Sequence, residues 1–164
     1  MGGDGRLRQW YQNFMSDDMD WKQLLGSILE SFGCQTGTLH RAEDGGKTLE
    51  LVSQIGVPES LMDRISTIPF GKGIAGAAAE RREPVELCNL QEDLGGVARP
   101  DARKTGVSGS LAVPIFSEIT GNVIGTLGIG KFTPYDFTEP ETQLLMGHAV
   151  KIAKHFEAKP NRGG

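Results

Sequence analysis

The sequence predicts an α+β domain whose strands pair antiparallel, and two observations carry that prediction. Strand-like runs come in adjacent pairs: Thr36–Arg41 with Thr48–Ile55 around Glu43-Asp44-Gly45-Gly46, and Ser110–Phe116 with Val123–Phe132 around Thr120-Gly121-Asn122. Short Gly- and Asp-rich turns of this kind join hairpins. Helical patterns stand mainly at the two ends of the chain, so the strand-helix alternation that a parallel sheet requires never develops.

Each element has its own signal. Trp21, Leu24, Leu25, Ile28, Leu29 and Phe32 share one helical face, with three aspartates at the start and Gly33 at the end, which predicts a helix over Asp18–Phe32. A shorter helix is expected over Leu7–Met15. After the first hairpin, Pro58 opens a short helix to Ile65, and the alanine-rich stretch Gly73–Arg82 forms another that Pro84 ends. Val85–Leu90 reads as a short strand. The loop Gln91–Gly109 holds four glycines and Pro100, and a connection that long suggests function or mobility. The second hairpin follows, then a long helix over Glu139–Phe156.

The 164 residues suit one domain, and 17 basic against 21 acidic residues give a net charge of −4, which lacks the footprint of a nucleic-acid binder. Leu111–Phe116 is the longest apolar run, at six residues with Pro114 inside it, far short of the roughly 20 that span a bilayer. No secretory start is visible, and the two cysteines, Cys34 and Cys88, form no close pair, so a reducing cytoplasmic setting is expected. The 23 glycines are about twice ordinary usage and call for tight turns or small-residue strand positions. Residues 1–17 read as a linker with the short helix, 18–157 as the folded domain and 158–164 as a disordered tail.

Several motifs fit known chemistry only loosely. Gly71-Lys72-Gly73-Ile74-Ala75-Gly76 matches G-x-G-x-x-G, yet Pro69 precedes it and no parallel unit surrounds it, so tight helix entry outweighs a dinucleotide turn. The same glycines could aim free N–H groups, with Lys72 beside them, at an anion. Gly106-Val107-Ser108-Gly109-Ser110 lacks the last glycine of a nucleophile elbow. The three histidines are scattered and no metal-ligand spacing occurs. The second hairpin is more informative. Leu111, Val113 and Ile115 share a face, as do Leu127 and Ile129, whereas Ser110, Ala112, Thr126, Gly128 and Gly130 lie opposite. One side of the sheet is then large and packs helices, and the other is lined by small residues that leave room.

Three segments in this order carry a family resemblance: Phe70-Gly-Lys-Gly-Ile-Ala-Gly-Ala-Ala-Ala-Glu-Arg-Arg-Glu-Pro-Val, Thr105-Gly-Val-Ser-Gly-Ser-Leu-Ala-Val-Pro-Ile and Val123-Ile-Gly-Thr-Leu-Gly-Ile. Together they resemble the GAF domain family, over about Asp18 to Phe156. The resemblance implies a central antiparallel sheet of five or six strands with helices on both faces. The terminal helices pack together on one face, and short helices and the long loop roof a small-molecule pocket on the other. It implies a cytoplasmic regulatory module that senses an unidentified ligand and signals through its terminal helices to an output domain, without a cofactor, metal or catalytic residue. The cyclic-nucleotide signature Asn-Lys-Phe-Asp-Glu is not recognisable, and the long loop before Ser110 has no cysteine for a bilin.

The pocket so implied has Thr126 and Ser110 as hydroxyls on its floor, with Ala112 and Gly128 beside them. Phe70 and Ile74 form an apolar wall, Lys72 and the Gly73 backbone are placed to meet an anion, and Cys88 and Asn89 close the strand side. Two other readings stay open: an enzyme like the free methionine-(R)-sulfoxide reductases using Cys88, and a dimerisation module without ligand. Leu145, His148, Ile152 and His155, broadened by Leu144, Ala149 and Phe156, form a stripe that suggests a homodimer through the first and last helices.

Overall fold

The computed structural model of the chain describes residues 20–43, 45–87 and 107–158. The expected helix at Leu7–Met15, most of the long loop, Cys88, Asn89 and the tail after residue 158 lie outside them.

Helix α1 spans Trp21–Phe32. Asp20 caps it by accepting the Gln23 amide on Oδ1 at 2.9 Å, and Gly33, at φ 65°, ends it in the left-handed conformation, where an L side chain would be strained. Strands β1 (Thr36–Glu43) and β2 (Thr48–Ile55) follow as the expected hairpin, with a register shift between Leu39 and His40. A 3₁₀ turn at Glu59–Leu61 runs into the short helix α2 (Met62–Ser66), and then comes a strand that the sequence pattern does not reveal, β3 (Thr67–Pro69). Three residues ending in proline carry no alternation to read, and proline is tolerated there because β3 is an edge strand. Helix α3 (Gly73–Arg81), β4 (Val85–Leu87), β5 (Gly109–Phe116), β6 (Val123–Lys131) and α4 (Glu139–Ala158) complete the chain.

The six strands form one sheet in the order β3-β2-β1-β6-β5-β4, and every adjacent pair is antiparallel. Gly37 and Leu39 of β1 lie opposite Ile129 and Leu127 of β6, which in turn face Leu111 and Val113 of β5. The large residues therefore form continuous rows across three strands, and α1 and α4 cover them in the main core. Leu127 and Val113 are wholly buried and Leu39 is 1% exposed, each side chain contributing about 1.5–3 kcal/mol of burial. The terminal helices meet through Trp21, which packs edge-on against His155 at 5.8 Å and Phe156 at 5.3 Å.

That packing covers most of the α4 stripe within the chain. Leu145, Ala149, Ile152, His155 and Phe156 are buried within the chain, and half-buried His148 packs against Phe32 at 6.2 Å. The stripe serves this molecule's own core, and only Leu144 is left half exposed. At its C-terminal end α4 is tied to the β5–β6 turn: Glu157 accepts hydrogen bonds from the Ser117 hydroxyl and, at 2.8 Å, from the Glu118 amide.

Two glycines test this packing from opposite directions. A Cβ on Gly125 would clash with the His40 carbonyl oxygen and press on Phe156 at 3.1 Å, whereas one on Gly147 of α4 meets nothing within 4 Å. Gly125→Ala should lower unfolding stability by about 1–3 kcal/mol, and Gly147→Ala should raise it by about 0.5–1 kcal/mol. Urea unfolding of the two variants checks both signs.

Candidate functional site

The face of the sheet turned away from α1 and α4 carries small and polar side chains. Thr38 of β1, Gly128 of β6 and Ala112 of β5 stand in one row across the sheet, and Thr36, Gly130 and Ser110 in the next. Gly128 leaves the middle of the first row open, since a Cβ there would reach the Thr38 hydroxyl at 3.0 Å. Above these rows lies a cavity of about 180 Å³. Its roof comes from Leu61, Arg64 and Ile65 of the 3₁₀–α2 segment and from Lys72, Gly73 and Ile74 at the start of α3.

The glycine motif shapes this roof by backbone geometry. Gly71 and Gly73 have φ of 89° and 67°, and Gly76 lies so close to Pro69 that a Cβ would come within 2.6 Å of the Pro69 carbonyl oxygen. The glycines thus turn the chain sharply off edge strand β3 and seat α3 against it, in an all-antiparallel sheet that offers no dinucleotide crossover.

His40 is the most informative side chain of the lining. It is 1% exposed, and its Nε2 lies 2.8 Å from the Ile65 carbonyl oxygen. Nε2 must therefore donate, which fixes the tautomer and leaves Nδ1 as an acceptor. Burial is the main cause that pushes the pKa down from 6.5, with the Ile65 hydrogen bond and Glu50 opposing it, so the ring is neutral. Nδ1 has no hydrogen-bond partner among the described residues, and neither does the hydroxyl of Thr126, its neighbour across β1 and β6.

Of the residues anticipated from sequence, Lys72, Gly73, Ile74, Ser110, Ala112 and Gly128 border the cavity. Phe70 does not; it packs beside Leu49, Ile68 and Val123 in a neighbouring cluster. Thr126 is buried beside His40, its partner across β1 and β6, and does not itself border the cavity. Cys88 and Asn89 lie outside the described residues. Sequence reasoning missed Thr36, Thr38 and His40, although period-two alternation puts all three on one face of β1. It also missed Arg64, which no spacing places over a strand.

Cys34 stands apart from the lining. It is half-buried, and burial above all pushes its thiol up to about 11 against the opposing Lys131 charge, so at neutral pH it is a protonated thiol and a poor nucleophile. Among the described residues no group of His, Cys, Asp or Glu is arranged to hold a metal ion, and no helix is long and apolar enough to cross a membrane.

His40 gives a pH signature. Below its ordinary value of 6.5 the unfolded ring takes a proton that the folded ring resists, so stability present in full above 6.5 is lost as pH falls. His148, lowered by burial and by Lys151, acts in the same direction. His40→Gln, which keeps a donor for Ile65, should flatten the loss of unfolding stability between about pH 7.5 and about pH 5.5 without abolishing it. An unchanged slope in urea titrations would show that His40 is not held neutral.

The GAF domain family matches residues 22–155. Among solved structures, the GAF domain from a phosphoenolpyruvate-protein phosphotransferase of Coxiella burnetii superposes with a TM-score of 0.74 at 22% identity, covering 96% of this chain and 94% of that one. The GAF domain region of a putative membrane protein from Geobacter sulfurreducens gives 0.72 at 17% identity, covering 94% and 99%. The free methionine-R-sulfoxide reductase of Neisseria meningitidis, solved with its substrate, gives 0.69 at 23% identity, covering 84% and 75%. Among curated proteins none matches.

Proposed function

The chain belongs to the GAF domain family, and we propose that it is a regulatory sensor that binds a small molecule between its sheet and the α2–α3 roof and passes the change on through α1 and α4. The observation that carries this reading is the cavity itself, walled by Thr38, His40, Ser110 and Gly128 on the sheet side and by the start of α3 above. A cavity of about 180 Å³ is slightly larger than an apolar cavity of roughly 150 Å³ that takes up benzene. The strands under it also carry the core residues that α1 and α4 grip, so a ligand pressing on one face of the sheet acts on the layer covering the other.

The likeness to sulfoxide reductases is a likeness of fold, and the thiol chemistry speaks for a sensor. A thiolate cycle needs an activated cysteine and a second thiol to regenerate it. The chain has two cysteines, and Cys34 is a raised-pKa thiol away from the cavity.

Native mass spectrometry of freshly purified protein should detect a bound small molecule, and Ser110→Phe, which projects a ring into the cavity from a half-buried position, should remove it while the circular dichroism melt stays cooperative. A ligand retained unchanged by Ser110→Phe would place the site elsewhere. With free methionine sulfoxide and a dithiol reductant, turnover should not exceed that of the Cys88→Ser variant; cysteine-dependent turnover would establish the enzyme reading instead.

A further inference from the structure

Two buried polar groups stand side by side on the sheet face that carries the cavity, and their chemistry sets what a ligand must offer. This inference rests on the sensor reading given above. His40 and Thr126 are partners across β1 and β6, so their side chains leave the sheet on the same face, and each residue is 1% exposed. With Nε2 donating to the Ile65 carbonyl at 2.8 Å, the neutral His40 ring keeps an acceptor at Nδ1. Among the described residues neither that nitrogen nor the Thr126 hydroxyl has a hydrogen-bond partner.

Unmatched burial is costly, and buried polar atoms are normally satisfied within the fold or by a bound molecule. His40 borders the cavity, and so does Ile65, which holds its ring. The cavity is therefore the space from which a partner can reach the pair. Both atoms are covered by the wall, so the partner meets them through a side-chain rotation, a common adjustment on binding. Arg64 and Lys72 also border the cavity, but both are exposed, so their charged ends keep their water.

The pair makes a specific demand. Nδ1 can only accept, so the ligand must donate, whereas the Thr126 hydroxyl can do either. One ligand hydroxyl meets both, giving its proton to Nδ1 and accepting that of Thr126, while an ether, ketone or carboxylate oxygen has no proton to give. The body of the ligand faces Val57, Leu61, Ile65, Ile68 and Ile74, which suit hydrocarbon. A cavity of about 180 Å³ holds about one ring and one small substituent. We propose that the cavity takes a compact hydrocarbon bearing a hydroxyl, a phenol or a branched alcohol, with the hydroxyl on His40 and Thr126 and the body against these aliphatic side chains.

Phenol and toluene share a shape and differ in the hydroxyl. Phenol gives up more hydration on burial, so a merely apolar cavity prefers toluene. In calorimetric titrations of the full chain, phenol should instead bind about fivefold tighter than toluene. Thr126→Val, which keeps the shape and removes the hydroxyl, should lower that ratio about threefold or more. In nitrogen NMR of the imidazole rings, phenol should shift the His40 Nδ1 resonance further than toluene does. Equal or tighter binding of toluene, a ratio that Thr126→Val leaves unchanged, or an Nδ1 resonance that phenol does not move would overturn the hydroxyl assignment and leave the pocket standing. Silence towards both compounds also overturns it; only silence together with no ligand in native mass spectrometry would remove the pocket reading as well.

Discussion

The pairing of β1 with β6 is the contact on which the remaining structure depends. It joins the first hairpin to the second across nearly ninety residues of chain, at a register that sets Gly37 against Ile129 and Leu39 against Leu127. Side chains alternate with a period of two, so a slip of one residue would turn Leu39 toward the cavity and His40 into the helix-covered core. The bulk of Leu25 and Leu29 over Gly37 opposes such a slip, because the row beneath α1 admits nothing larger there. Sheet register, helix seating and the open face are consequences of one alignment.

How much of this was legible in the sequence follows from the range of each signal. Helix α1 was readable from its stripe and Gly33, and β2 from its alternation, because those signals lie within the element. The small-residue face was readable from Ser110, Ala112 and Gly128 for the same reason. Thr126 lies on that same face, in the row of His40, but outside the cavity lining, since the extent of the cavity is set by where α2 and α3 lie over the strands. Phe70 was assigned as cavity wall because it precedes the glycine motif; the positive φ at Gly71 reverses the chain between them, and Phe70 falls on the Leu49 side. His40 escaped notice because its importance arises from Ile65, twenty-five residues away. The α4 stripe was legible as apolar from its spacing, and Trp21 and the sheet between them bury most of it.

The two faces of the sheet divide the work in physical terms. The helix-covered face is packed, with Leu127, Val113, Ile115 and Leu145 wholly buried, and packing at that density transmits displacement with little loss. The cavity face holds the groups whose hydrogen bonding is incomplete. Within one protein domain this places groups with incomplete hydrogen bonding on one side of a thin layer and a tightly packed core on the other.

The clasp between Glu157 and the β5–β6 turn gives that helix layer its mechanical character. Ser117 donates to Glu157 and also accepts from the amides of Ile119 and Thr120 at 3.1 and 2.9 Å, while at the opposite end of α4 Glu141 accepts from the Thr138 amide and the Tyr135 hydroxyl. The helix is therefore pinned at both ends, like a torsion bar. A load applied at its last turn cannot peel the helix from the sheet without first breaking bonds to a carboxylate, each about 1.5–3 kcal/mol. The load is delivered instead to the hairpin whose strands carry Ser110 and Gly128, so tension at the end of α4 acts on two strands that border the cavity.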